Sequence, residues 1–152
     1  MDIFPRSQKT GYFGDITRTV VRGRAREPVR KLHHTVGRSQ DLAFKTMLPN
    51  ARANEVQQAV QRLFNSEGYK TGKHNGRMEG FFHGTGHGLG LEIHEAPRVS
   101  ATSRDILRAG HVVTVEPGLY YPQIGGVRLE DVALITHQSP RNLTKFEKVL
   151  EV

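Results

Sequence analysis

Residues 83–97 read HGTGHGLGLEIHEAP. Glycines at 84, 86, 88 and 90 argue against helix, so His83 and His87 do not form an i,i+4 pair on a helix face. In an extended strand the two imidazoles share one face, with Thr85 between them. The glycines then occupy the other face, where a second backbone can approach closely. A glycine-rich loop with incidental histidines would look the same. Two later segments favour the strand reading. VTVEPG at 113–118 and VRLEDV at 127–132 set Glu116 and Glu130 in β-branched, strand-like contexts.

Toward the N-terminus, MDIFP at 1–5 and GYFGDITRT at 11–19 add Asp2 and Asp15. Asp2-Ile-Phe is strand-like, Pro5 to Thr10 is rich in turn residues, and Gly11 to Val21 alternates aromatic or β-branched residues with small or polar ones. A hairpin there would return Asp15 to Asp2. Four carboxylates and one imidazole suit two adjacent divalent cations. Oxygen ligands fit Mn, Mg or Co, and a single imidazole tolerates Mn, Co, Fe or Zn. Such a set nearly cancels the charge of two dications, so a water between them can be ionised near neutral pH. With no cysteine in the chain, thiolate zinc sites and iron–sulfur clusters are excluded.

These five motifs, in this order, resemble the metallopeptidase family of methionine aminopeptidase, aminopeptidase P and prolidase. HGTGHGLGLEIHEAP followed by VTVEPGLYYPQIGGVRLEDV is closest to its Xaa-Pro aminopeptidase and prolidase branch. Methionine aminopeptidases usually lack the Arg that stands here two residues before Glu130. The resemblance implies an α+β pita-bread fold and a metal-dependent exopeptidase hydrolysing Xaa-Pro bonds through a metal-bridging hydroxide. It implies two divalent ions, Mn first and Co, Zn or Fe next, about 3.5–4 Å apart. Asp15 and Glu130 would bridge them, Asp2 would complete one, and His87 with Glu116 the other. Glu116 would also relay the proton, His83 would lie beside the substrate, and His94 would stabilise the oxyanion. Arg128 would orient a carboxylate of a ligand or of the substrate. Arg128 and Glu130, two apart, share a strand face, whereas Asp131 points the other way and is left out. Glu95 is also left out.

In that family the first metal-binding Asp follows a substantial upstream region carrying one more active-site histidine. Only Met1 precedes Asp2 here. The resemblance therefore implies that residues 1–152 are the C-terminal portion of a catalytic domain. Such a portion would be inactive or nearly so alone, and would associate with the missing N-terminal portion or with further copies of itself. Two other function classes remain: a non-catalytic binding module of the same fold, and a basic nucleic-acid-binding domain. The net charge of +7 raises the latter. The basic residues cluster in Arg22–Arg26 and Arg30-Lys31 without an RNA-binding or helix-turn-helix signature, which favours a solvated face. No apolar run approaches the roughly 20 residues of a membrane span. With no signal-peptide pattern either, a cytoplasmic protein is expected.

Two helices are expected between the N-terminal hairpin and the glycine-rich stretch. Val29, Leu32, Val36, Ala43 and Met47 recur near a 3.6 period after Pro28, with Gly37 interrupting. Asn54 can cap a second helix with the stripe Val56, Val60, Leu63 and Phe64, ending at Gly68. Residues 69–79 read as loop, and β-structure is expected over 81–95, 111–116 and 127–135. Asn142-Leu-Thr144 matches the glycosylation pattern and is read as chance.

Overall fold

A computed structural model describes residues 1–152. The chain opens with β1 (Asp2–Ile3) paired antiparallel to β2 (Ile16–Thr17), with Asp2 opposite Thr17. The strand expected over residues 11–21 shrinks to two residues, because Thr17 and Thr19 also bond to the later segment 128–130.

Helices α1 (Glu27–Thr46) and α2 (Ala53–Ser66) follow. In α1, Pro28 occupies the first turn, Glu27 suits the positive helix start and Lys45 the negative end. Leu32, Val36, Ala43 and Met47 are fully buried, each large side chain contributing about 1.5–3 kcal/mol. Gly37 does not interrupt the helix. The roughly 1 kcal/mol that a helical glycine costs is outweighed by this buried stripe. Asn54 is not the cap of α2. Arg52 holds that place without a side-chain bond, and the amide of Ala53 is satisfied by the Asp105 carbonyl. Neither helix is long and apolar enough to cross a membrane.

The region read as loop, 69–79, contains a hairpin of β3 (Gly72–His74) and β4 (Arg77–Glu79). Asn75 and Gly76 turn it with φ of 48° and 83°, the positive values a tight two-residue hairpin loop requires. Next come β5 (Gly86–Gly88), β6 (Glu95–Val99), β7 (Val112–Val115), β8 (Gly118–Tyr121), β9 (Gly125–Arg128), β10 (Asp131–Leu134) and β11 (Arg141–Asn142). Five of these form an antiparallel sheet in the order β11-β10-β7-β5-β6. β8 and β9 form a separate hairpin. The helix α1 packs on α2 and against β7, β8 and β9, while α2 packs against β6.

Two expected strands are broken, and both breaks serve the cavity described below. Residues 81–95 are strand only at Gly86–Gly88 and at Glu95, where β6 begins, because the chain turns at Gly90, whose amide bonds the Glu92 carbonyl. Residues 127–135 divide into β9 and β10, since the chain changes partner there from β8 to β7. Glu130 falls in the gap, its amide donating to the Thr17 carbonyl at 3.0 Å. The buried Gln40 of α1 stabilises this arrangement, its Nε2 donating to the carbonyls of Val115 and Leu129 at 2.9 and 3.2 Å. Each of those carbonyls immediately precedes a candidate ligand, Glu116 or Glu130.

Candidate metal centre

Asp2, Asp15, His87, Glu116 and Glu130 line one cavity of about 200 Å³, together with His94, Arg128, Phe4 and Ile93. Three sheet elements supply its floor. His87 lies inside β5, Glu116 follows β7, and Glu130 precedes β10. Glycine permits the close packing beneath His87. A Cβ on Gly86 would overlap the Thr114 carbonyl, and one on Gly88 the carbonyl of Ala96. The backbone approach expected of these glycines is therefore present.

His87 Nδ1 lies 3.0 Å from the Gly88 carbonyl oxygen, which can only accept, so this nitrogen carries the proton. In the neutral ring Nε2 is then a lone pair, directed at Glu116 Oε1 at 3.2 Å and Asp15 Oδ2 at 3.8 Å. Lone pair and carboxylates repel unless a proton or a cation sits among them. Burial pushes the His87 pKa down, but the bonds to Glu116 and Gly88 and the charge of Asp15 outweigh it and raise it. Burial raises Glu116, and His87 overcomes this to hold it low. Asp15 is compensated less completely. Burial, with the charges of Asp2 and Glu116, lifts it to about 6 despite His87. Glu130 rises to about 8 through burial and its carboxylate neighbours Glu116, Asp15 and Asp2, against a hydrogen bond from Thr17.

Four carboxylates thus face a single permanent cation, Arg128, and ligand atoms of Asp15, His87 and Glu130 all lie within 4.8 Å of one another. This donor set fits a divalent ion, whose charge would relieve the strain that now appears as bound protons.

On the outer side, Arg128 Nη2 donates to Asp2 Oδ2 at 2.5 Å and its Nε to Thr17 Oγ1 at 3.2 Å. The carboxylate that Arg128 orients in this structure is that of Asp2. Thr17 Oγ1 lies 2.9 Å from Asp2 Oδ1 and 2.6 Å from Glu130 Oε2, and its one proton cannot serve both. Sequence reasoning passed over Thr17, although it stands two residues after Asp15 and strand alternation puts both on one face. Gln40 was also missed. A polar residue four after Val36, within a buried stripe, was the available signal.

His94 is exposed at the cavity, its ring 4.3 Å from that of His87. Burial and the positive charges of His87 and Arg98 lower its pKa. His83 does not line the cavity. It precedes β5 rather than sharing a strand face with His87, and its Nε2 accepts from the Tyr120 hydroxyl at 2.9 Å while Nδ1 donates to the Gly84 carbonyl. Burial lowers its pKa. Asp131 faces away, as alternation implies, and is paired with Arg18 at 2.7 Å and Lys148 at 2.9 Å. Asn142 Nδ2 donates to the same carboxylate. Glu95 Oε2 accepts from the Glu92 amide outside the cavity lining.

The profile of metallopeptidase family M24 matches residues 1–137, and the chain belongs to that family. It is 40% identical over 139 residues to the Xaa-Pro dipeptidase of Pyrococcus furiosus, covering 91% of this chain and 38% of that protein. The Pyrococcus horikoshii Xaa-Pro dipeptidase is 41% identical, with 91% and 37% covered. The crystal structure of the prolidase from Pyrococcus horikoshii superposes with a TM-score of 0.87 at 40% identity, covering 98% of this chain and 40% of that one. The X-Pro aminopeptidase of Thermotoga maritima also gives 0.87, at 29% identity and with 99% and 40% covered. The fold is thus the pita-bread fold of these peptidases, and the chain spans about 38% of the length of the curated relatives it matches.

Proposed function

We propose that this chain carries the metal centre of a peptidase that hydrolyses Xaa-Pro bonds. Asp2, Asp15, His87, Glu116 and Glu130 hold two divalent ions, with Mn the first candidate and Co, Zn or Fe the others. Asp15 and Glu130 would be shared, Asp2 would serve one ion, and His87 and Glu116 the other. The observation that carries this reading is the crowding of Glu116, Asp15 and Glu130 around the His87 Nε2 lone pair, with Asp2 lining the same cavity and Glu130 pushed to about 8 by burial and its carboxylate neighbours. Bound divalent ions would supply Lewis acidity and lower the pKa of a water.

The chain's own residues then divide the remaining work. Glu116, half-buried and held ionised by His87, accepts the proton of the attacking water. His94, neutral at pH 7, stands exposed beside His87, where its N–H can donate to the oxygen of the scissile carbonyl as charge develops there. Arg128 and Thr17 hold Asp2 against the cavity. His83, bonded to the Tyr120 hydroxyl and close enough to Glu116 and Arg128 to feel their charges, would lie beside the substrate. Preference for proline after the scissile bond rests on the 40% identity to the Pyrococcus Xaa-Pro dipeptidases.

Because those relatives are longer than this chain, metal binding is the primary readout and turnover the second. Calorimetric titration with Mn should show about two sites. Xaa-Pro peptides should be cleaved faster than Met-Ala by whatever activity the loaded protein has. No heat of binding would remove the metal reading. Faster release of Met from Met-Ala would reverse the substrate assignment.

A further inference from the structure

Arg18 is a buried charge, 4% exposed, that does not itself line the cavity yet bonds the backbone of Thr17 and of the cavity residue Glu130. Its Nη1 donates to the carbonyls of Thr17 at 2.9 Å and Glu130 at 2.6 Å. Its Nη2 donates to Asp131 Oδ1 and to the Phe146 carbonyl, both at 2.7 Å, and its Nε to the Glu147 carbonyl at 3.0 Å. One planar fork therefore joins two parts of the chain. The first is the pair of backbone carbonyls belonging to Thr17 and Glu130. The second is the C-terminal strap, residues 145–152.

The strap is held by polar bonds rather than by its apolar side chains. Phe146, Val149 and Val152 are largely exposed. The strap is attached through Arg18, through Lys148 on Asp131 at 2.9 Å, through Glu151 on Arg30 at 2.7 Å and on the Ala25 amide, and through a short ladder. In that ladder Val21 N donates to the Leu150 carbonyl, Val152 N to that of Val21, and Gly23 N to that of Val152. Strap departure would strip the buried guanidinium of two acceptors, and a buried cation without acceptors must move toward water or new partners. Any such movement drags on Thr17 and Glu130, which share the 2.6 Å bond at the cavity.

We propose that Arg18 is a positioning residue that couples the seating of the C-terminal strap to the geometry of the metal centre. This rests on the metal reading of the cavity given above. Coupling is reciprocal, so ions in the cavity must tighten the strap just as the strap tightens the ions.

The test uses the full chain. Hydrogen exchange at Val21, Gly23 and Val152 is measured with and without saturating Mn, and should slow about tenfold, inside the range usual for coupled sites. Arg18→Lys keeps the charge and loses the fork. It should weaken Mn binding roughly 10–100-fold, as loss of groups supporting metal ligands does. In that variant the response of the strap to Mn should also vanish. A merely structural Arg18 would speed strap exchange in the variant without linking it to the metal. Should Arg18→Lys not fold, Lys148→Met removes another strap anchor with Arg18 intact, and the same two shifts are expected in smaller measure. Strap exchange indifferent to Mn in the parent, or Arg18→Lys binding Mn as tightly as the parent, overturns the proposal. A parent chain that binds no metal at all overturns the metal reading, and this proposal with it.

Discussion

The two sides of the cavity present similar ligands by different means. His87 and Glu116 are anchored in the five-stranded sheet, where backbone packs on backbone so tightly that Gly86 and Gly88 admit no side chain. Asp2 rests on a two-residue ladder, is partly exposed, and is kept in place by the Thr17 hydroxyl and the Arg128 fork. Steric packing fixes the first side, and a network of charged hydrogen bonds fixes the second. A packed backbone resists displacement whatever its charge state. A polar network changes with every proton or ion that enters it, so the sheet side should tolerate no added bulk and the ladder side should respond to charge.

The largest effect expected is that of Gly86→Ala. Its methyl would overlap the Thr114 carbonyl, and because that neighbour is backbone, β5 and β7 must separate. A loss of more than about 4 kcal/mol in urea unfolding is expected, which places the substitution in the exceptional tail of single changes. A variant with near-parent stability would show that the sheet side is not fixed by packing.

Next in size is the division of ions between the sides. Glu130 faces both, so Glu130→Ala should abolish binding of both ions in a calorimetric titration. Asp2→Asn should weaken one and leave the other. Equal loss of both ions on Asp2→Asn would break the assignment of Asp2 to one side.

How much of this was legible follows the same division. His87, Glu116 and the role of the glycines are written in local pattern, because alternation and the absence of Cβ act over a few residues. The helical stripes were legible for the same reason. What escaped depends on distant partners. Gln40 acquires its role from two carbonyls on β7 and beside β10, and Arg18 from a strap more than a hundred residues away. The strand at 127–135 broke because its first half pairs with β8 and its second with β7, which a single apolar run cannot disclose. The hairpin at 72–79 is different. His74-Asn75-Gly76-Arg77 carried the Asn-Gly signal, and the polar flanks concealed it.

Protons should sharpen the contrast further. His87 and Glu116 neutralise each other, whereas Asp15 at about 6 and Glu130 at about 8 keep protons that the unfolded chain would release near their ordinary values of 3.8 and 4.5. The stability this uptake provides is fully present below about pH 4. It erodes as pH rises, with the Asp15 share gone by about 6 and the Glu130 share by about 8. The raised His87 acts in the same direction. The thermal midpoint of the metal-free protein should therefore fall between pH 5 and 8. Mn competes with the same protons, so its affinity should rise over that interval and the fall in midpoint should disappear when it saturates the site. A metal-free midpoint that climbs with pH over this range would mean that Asp15 and Glu130 are already compensated.

The smallest effect expected is also the most direct contrast with Gly86. Gly14 sits beside Asp15 on the ladder side, and a Cβ there would meet only Pro5, its Cγ at 3.8 Å, Cδ at 3.9 Å and carbonyl oxygen at 4.0 Å, all ordinary van der Waals distances. Its φ lies outside the left-handed region, and its amide bond to the Pro5 carbonyl at 2.8 Å survives the change. Gly14→Ala should thus alter stability by no more than about 1 kcal/mol. The sign should favour the folded state, since alanine restricts the unfolded chain and no contact opposes it. Mn affinity should stay unchanged, because neither Asp2 nor Thr17 is touched. If Gly14→Ala proved as damaging as Gly86→Ala, both sides of the cavity would be held by steric packing, and the polar network around Asp2 would be an accompaniment rather than the cause of its position.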